Sequence, residues 1–191
     1  STSRGSVAWL NSQERPAMAP AAARDGGRTP QNRDADFHEW PNDRKNSAAF
    51  FENLDVVTKK FGVPDVIIVG LGPGSYAGTR IAISAAIGLQ SSSEARLIGF
   101  PSIWAIESAE ADYCVIGDAR RKSFFFARIS GNELMEGPDL FDEEGLKSKL
   151  ASLQNATPVF CSESLPQFSE AMVRYPSAQL LARLAQGESR N

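Results

Sequence analysis

The chain has 191 residues, with 20 lysines and arginines against 23 aspartates and glutamates, a net charge of −3 and 42% apolar residues. That balance describes a globular protein able to bury roughly 70% of its unfolded surface, in one large core or two small ones. It excludes gripping a phosphate backbone by charge alone, and no apolar run nears the roughly 18 residues of a membrane helix. Cys114 and Cys161 each sit inside an apolar stretch, so they read as buried thiols rather than a disulfide or a metal site. With no signal peptide at the front, the expected setting is a reducing cytoplasm.

The opening "STSRGSVAWL" reads as a polar turn and a short strand over 6–10, and it begins abruptly, as though an earlier strand were missing. Residues 11–45 are polar, rich in proline, glycine and alanine, and predict a mobile loop in which "ADFHEW" forms an edge strand. His38, the only histidine, falls there and reads as solvated. From Ser47 the pattern turns helical. Phe50, Leu54, Val57 and Phe61 share one side, Glu52, Asp55 and Lys59 the other, and Gly62 and Pro64 end the helix. "DVIIVG" (65–70) has the β-branched content of a buried parallel strand. "TRIAISAAIGLQ" (79–90) is a helix and "ARLIGF" (95–100) a strand, so the middle of the chain is a right-handed strand–helix–strand crossover.

Between strand and helix lies "GLGPGSYAGTR" (70–80). Gly78 is followed by Thr79 and Arg80 where a Walker loop needs lysine and a hydroxyl residue. Ser75 stands where a dinucleotide fold needs its third glycine. What remains is generic: Ser75 as a helix cap, Gly74 as the residue of positive φ, and a structural turn as the favoured reading. The helix behind it says more, because Ile81, Ala82, Ile83, Ala85, Ala86, Ile87 and Leu89 cover about 240° of its circumference. Such a helix is covered on more than one side, either by the same chain or by a partner's helices. Phe51 and Val56 fall outside the main stripe of the preceding helix.

In the second half, "YCVIG" and "SFFFARI" flank the turn "DARRK" and predict a hairpin. "DARRKSFFFARI" matches "STSRGSVAWLNS" in outline: a polar turn with arginine, a serine, then a strand. If this is a repeat, the piece missing at the front is a strand equivalent to "YCVIG". Asp118 could bind a metal-nucleotide and Arg120 and Arg121 could meet phosphate or RNA, although turn-forming and solvated roles are commoner for such residues. "PVFCSES" predicts a strand, and "LPQFSEAMVRY" and "SAQLLARLAQ" predict helices.

Taken together, "VGLGPGSYAGTRIAISAAIGL", "LIGFPSIWAIE", "VIGDARRKSFFFA", "YPSAQLLARLA" and the opening "STSRGSVAWL" resemble the motifs of the TsaB (YeaZ) family. The signature loop residues are Gly72, Pro73, Gly74, Ser75, Gly78 and Arg80. Departures are Ala77 for the usual threonine, Asn46 where histidine is frequent before the first helix, and the lack of the opening strand and of a closing "P-x-Y-L-R" segment. The resemblance implies an α/β fold of two RNase-H-like lobes of the actin/Hsp70-like (ASKHA) superfamily, over residues 1–104 and 105–191. It implies a non-catalytic scaffold, with no cofactor and no membrane, which binds TsaD together with the ATPase TsaE. TsaD transfers the threonylcarbamoyl group to make N6-threonylcarbamoyladenosine in tRNAs reading A-starting codons, and tRNA is met only through the complex. It further implies an interface on the two helices, through Phe50, Phe51, Leu54, Val57, Ile81, Ala82, Ala85, Ala86 and Leu89, which would also support a homodimer when TsaD is absent. The alternatives are an ATP-dependent phosphotransferase or glycoprotease-like enzyme of the same fold, or a homodimeric regulator of TsaD.

Overall fold

The structure is a computed structural model that describes residues 4–10, 35–41, 47–131, 133–153 and 157–187. Most of the polar stretch 11–45, Asn46 and the first three residues lie outside the described residues. Three sheets carry the fold. Strands β1 (Arg4–Leu10) and β2 (Ala35–Pro41) form an antiparallel pair, so His38 stands on a strand, not in a solvated loop. Its Nε2 lies 3.4 Å from Asp36 Oδ1. Helix α1 (Ala48–Phe61) packs on β1 and β2. Val57 is buried at its centre, while Glu52, Asp55 and Lys59 face solvent, as the period of its sequence requires. Gly62 closes α1 at φ 83°, a left-handed geometry that favours glycine.

Strands β3 (Val66–Gly70) and β4 (Arg96–Phe100) pair in parallel, joined by helix α2 (Tyr76–Ser91). Ile67 and Val69 on β3 form a small core with Ala82, Ile83, Ala86 and Leu89 of α2. Gly70, the next residue after Val69, faces the other way. A Cβ placed there would lie 3.8 Å from Leu181 of helix α4 (Ala178–Ala185). Alternation along a strand therefore puts α2 and α4 on opposite faces of β3. Chain order groups α4 with the second half, yet it packs on β1 and β3 of the first.

The main core surrounds the third sheet, ordered β7-β6-β5-β8-β9. Strands β5 (Asp112–Arg120) and β6 (Ser123–Ser130) form the expected hairpin, and β7 (Glu133–Phe141) extends it antiparallel. On the other side β8 (Val159–Cys161) and β9 (Met172–Val173) run parallel to β5. Cys114, Ile116, Phe126 and Phe168 are fully enclosed, and helix α3 (Glu143–Ala151) adds Leu146 to the same cluster. Both cysteines are free and buried.

The helix expected over "LPQFSEAMVRY" does not form. Leu165 and Phe168 are drawn into the core, and two tight turns space them, with Phe168 N–H donating to Leu165 O and Ala171 N–H to Phe168 O. The chain then joins the sheet edge as β9, where ladder bonds compete with helical ones. Sheet pairing prevails over the apolar period. Among the described residues no helix is long and apolar enough to cross a membrane.

Candidate functional site

The signature loop is fastened by its own backbone. Leu71 N–H donates to Phe100 O (2.8 Å), Ser102 N–H to Gly72 O (2.8 Å), and Gly72 N–H to Ser102 Oγ (3.0 Å). These bonds tie the loop to the end of β4 and to the 3-10 turn Ser102–Ala105. The positive φ is carried by Gly72 (89°) and not by Gly74. The reversal thus comes at the exit of β3, two residues before the expected place. Ser75 caps α2, its hydroxyl accepting from Gly78 N–H at 3.3 Å, a contact that typically contributes about 1 kcal/mol. Pro73 follows in the loop, and Arg80 reaches back one turn to Tyr76, its Nη1 donating to the phenol oxygen at 3.2 Å. With these donors engaged, the loop aims α2.

Asp118 is similarly committed. Its Oδ1 accepts from Arg120 N–H at 2.7 Å and its Oδ2 from Arg120 Nη1 at 3.1 Å. Arg120, Arg121 and Lys122 all adopt positive φ, so the hairpin turns through three consecutive left-handed side-chain-bearing residues. The hollow beside Asp118, of about 750 Å³, is lined by Asp142, Glu143, Glu144 and Glu163 together with Lys122. A polyphosphate entering there meets carboxylates of its own sign. No group of three or more potential metal ligands occurs among the described residues.

The two helices carry the remaining candidates, and the structure sorts them. Phe50, Leu54 and Val57 of α1 and Ile81, Ala82, Ala85, Ala86 and Leu89 of α2 all line one interior groove of about 840 Å³. Ala86 is only 5% exposed against Ile67 and Val69 and thus faces its own sheet. Phe51 alone of the nine points outward, at 49% exposure, and Val56 on α1 and Ile87 on α2 match it. The sequence signal for the outward set was present in Phe51 and Val56, which fall off the α1 stripe. Ile87 was obscured because α2 is apolar nearly all round, and the wheel cannot tell groove from solvent.

No family model matches the sequence, and the search of curated proteins finds no match. Solved structures do match. YeaZ from Pseudomonas aeruginosa superposes with a TM-score of 0.67 at 18% identity, covering 98% of this chain and 90% of its own. A second structure, an uncharacterized protein with similarity to the peptidase YeaZ from the same organism, gives 0.65 at 19% identity over the same shares. The chain therefore has the mixed α/β fold of these YeaZ structures, as the motifs led us to expect.

Proposed function

We propose that this chain is a TsaB-type scaffold: a non-catalytic subunit that binds TsaD, together with TsaE, for N6-threonylcarbamoyladenosine modification of tRNA. The observation that carries the reading is the outward apolar set Phe51, Val56 and Ile87 on α1 and α2, each 49% exposed. Large apolar side chains on the outer faces of two helices are better covered by a partner than by water. The likeness to YeaZ structures and the resemblance of the motifs to the TsaB family are what favour TsaD as that partner.

The chemistry of the chain agrees with a scaffold. One histidine in the whole sequence cannot supply a pair of histidine ligands. Two of the loop amides, Leu71 and Gly72, are spent on β4 and on the turn after it, and the Asp118 carboxylate accepts from its own hairpin. Without TsaD the same helical faces would pair two copies of this chain, and the setting that fits the role is the cytoplasm.

The test is reconstitution of tRNA modification from TsaD, TsaE, threonylcarbamoyl-adenylate and tRNA, with and without this chain. Modification should depend on it, it should co-purify with TsaD, and on its own it should bind no Mg-ATP in calorimetry. Modification that proceeds equally without it would refute the scaffold. A tight Mg-ATP site on the isolated chain would instead favour the phosphotransferase alternative.

A further inference from the structure

Helices α1 and α2 share one side of the molecule and one direction. Ser6 Oγ of β1 accepts from Ala178 N–H of α4, while Trp40 lies across the neighbouring Gly5 and packs on Phe50 of α1. Alternation along β1 therefore places α1 opposite α4, the side on which α2 also lies. Phe50 stands at the Gly5 end of β1, and Phe61 stacks on Trp9 near the other end with ring centres 5.1 Å apart, so α1 runs along β1. Residues 62–65 alone lead from Phe61 to β3, which puts the start of β3 beside Trp9. Its end, Gly70, stands against α4 as Ser6 does, so β1 and α1 run against β3. α2 does the same, leaving after Gly70 and returning to Arg96, the partner of Val66. The two helices are thus parallel, with their amino ends level.

Each helix leaves one charge unmatched. α2 carries a single charged residue, Arg80, and α1 carries Glu52, Asp55, Lys59 and Lys60. Asp55 is matched by Lys59 at 2.7 Å, and Lys60 by Asp36 of β2 at 2.8 Å. Among the described residues Glu52 and Arg80 have no partner of opposite charge. Arg80 is held in place all the same. Its guanidinium lies over the Tyr76 ring, 5.2 Å from the centre, and one N–H donates to the phenol oxygen. Its other donors remain for a carboxylate, which the planar guanidinium fits in bidentate fashion. Glu52 and Arg80 are each the fifth residue of their helix, so they stand at one level. Glu52 lies one turn from Val56 and Arg80 two turns from Ile87, within the outward apolar set.

We propose that Glu52 and Arg80 form a self-complementary charge key, which a second copy of this chain engages by laying its α1 over α2 and its α2 over α1. The inference rests on the α1–α2 face being the docking surface proposed above. A two-fold axis parallel to the helices preserves their direction and level. Arg80 of each copy then meets Glu52 of the other, and the same ion pair forms twice. An axis across the helices would instead set α2 on α2, where Arg80 finds no acidic residue. The charges thus choose between two ways of stacking the same apolar surface, which apolar contact alone does not distinguish.

The test is charge exchange in the full chain, read by sedimentation equilibrium. Both side chains are exposed, so Glu52→Arg and Arg80→Glu should each leave the fold intact, which circular dichroism checks. Each variant alone should self-associate about 30-fold or more weakly than the parent, since both contacts turn from attraction to repulsion. Mixed together, the two variants should dimerise about as tightly as the parent, because every contact in the mixed pair again joins unlike charges. The double variant should recover in the same way. The proposal is overturned if either single variant associates like the parent, if the mixture stays as weak as its components, or if the parent is monomeric. TsaD binding, measured alongside, separates this inference from the scaffold reading. A parent that obeys the charge exchange yet ignores TsaD supports the key and refutes the scaffold. A parent that binds TsaD but fails the exchange overturns the key alone.

Discussion

Ala86 and Ile87 are neighbours on α2 with opposite surroundings, and the pair separates folding from partner binding. Ala86 is 5% exposed and packed on Ile67 and Val69. Ala86→Glu would bring a carboxylate into a cluster of apolar side chains. Leaving a buried charge unpartnered costs on the order of 3–5 kcal/mol, eased only as far as the group protonates instead. Against a total stability of about 5–15 kcal/mol that is a large fraction. Ile87 is 49% exposed, so Ile87→Glu forfeits only its buried half, about 1 kcal/mol. Urea unfolding followed by circular dichroism should show a much lower midpoint for Ala86→Glu and a nearly unchanged one for Ile87→Glu. Pull-down should then show that the folded Ile87→Glu protein has lost TsaD. Ala86→Glu with the stability of the parent would mean that α2 meets the sheet by another face. Ile87→Glu that still binds TsaD would remove the outer face of α2 from the interface.

Arg128 donates to both carboxylate oxygens of Asp112, at 3.0 and 2.5 Å, and these hydrogen bonds hold the Asp112 carboxyl below its ordinary range. A depressed carboxylate adds stability that is present above the unfolded value of about 3.9 and lost as pH falls through the folded one. Because both side chains are more than a third exposed, Asp112→Asn should cost at most about 1 kcal/mol at pH 7. The gap between parent and variant in urea should close in strong acid, and a gap equal at pH 7 and pH 2 would rule out the ion pair as its source. Burial pushes the Cys114 thiol up to about 11 and raises that of Cys161 as well. Iodoacetamide at pH 8 should therefore leave both thiols of the native protein unmodified and label both in guanidinium, a result that mass spectrometry reads directly. Stoichiometric labelling of the native chain would contradict the packing around β5 and β8.

Where the sequence speaks through period and punctuation, the structure follows it. The α1 stripe, the Gly62 stop, β3 with its parallel partner and the "DARRK" hairpin were all legible from residues alone. The strand β7 was not, because its Gly137–Pro138 pair reads as a break. Only its place at the sheet edge, where proline needs no ladder donor, makes it a strand. Residues 165–175 misled for the opposite reason, since an apolar spacing of three serves a pair of anchored turns as well as a helix. The helical candidates were found as residues but not as faces. A wheel gives angles about an axis, and only packing tells which angle is groove, sheet or solvent.

The fold is also threaded in an unusual order in time. Ala178 N–H donates to Ser6 Oγ across a sequence separation of 172, and α4, the last described helix, packs against the first described strand. During synthesis the hairpin β5–β6 can form from residues only a few positions apart and β1 can pair early with β2, while the contact of β1 with α4 must wait until Ala178–Ala185 has emerged. The first half of this protein is the first to be made and the last to be closed.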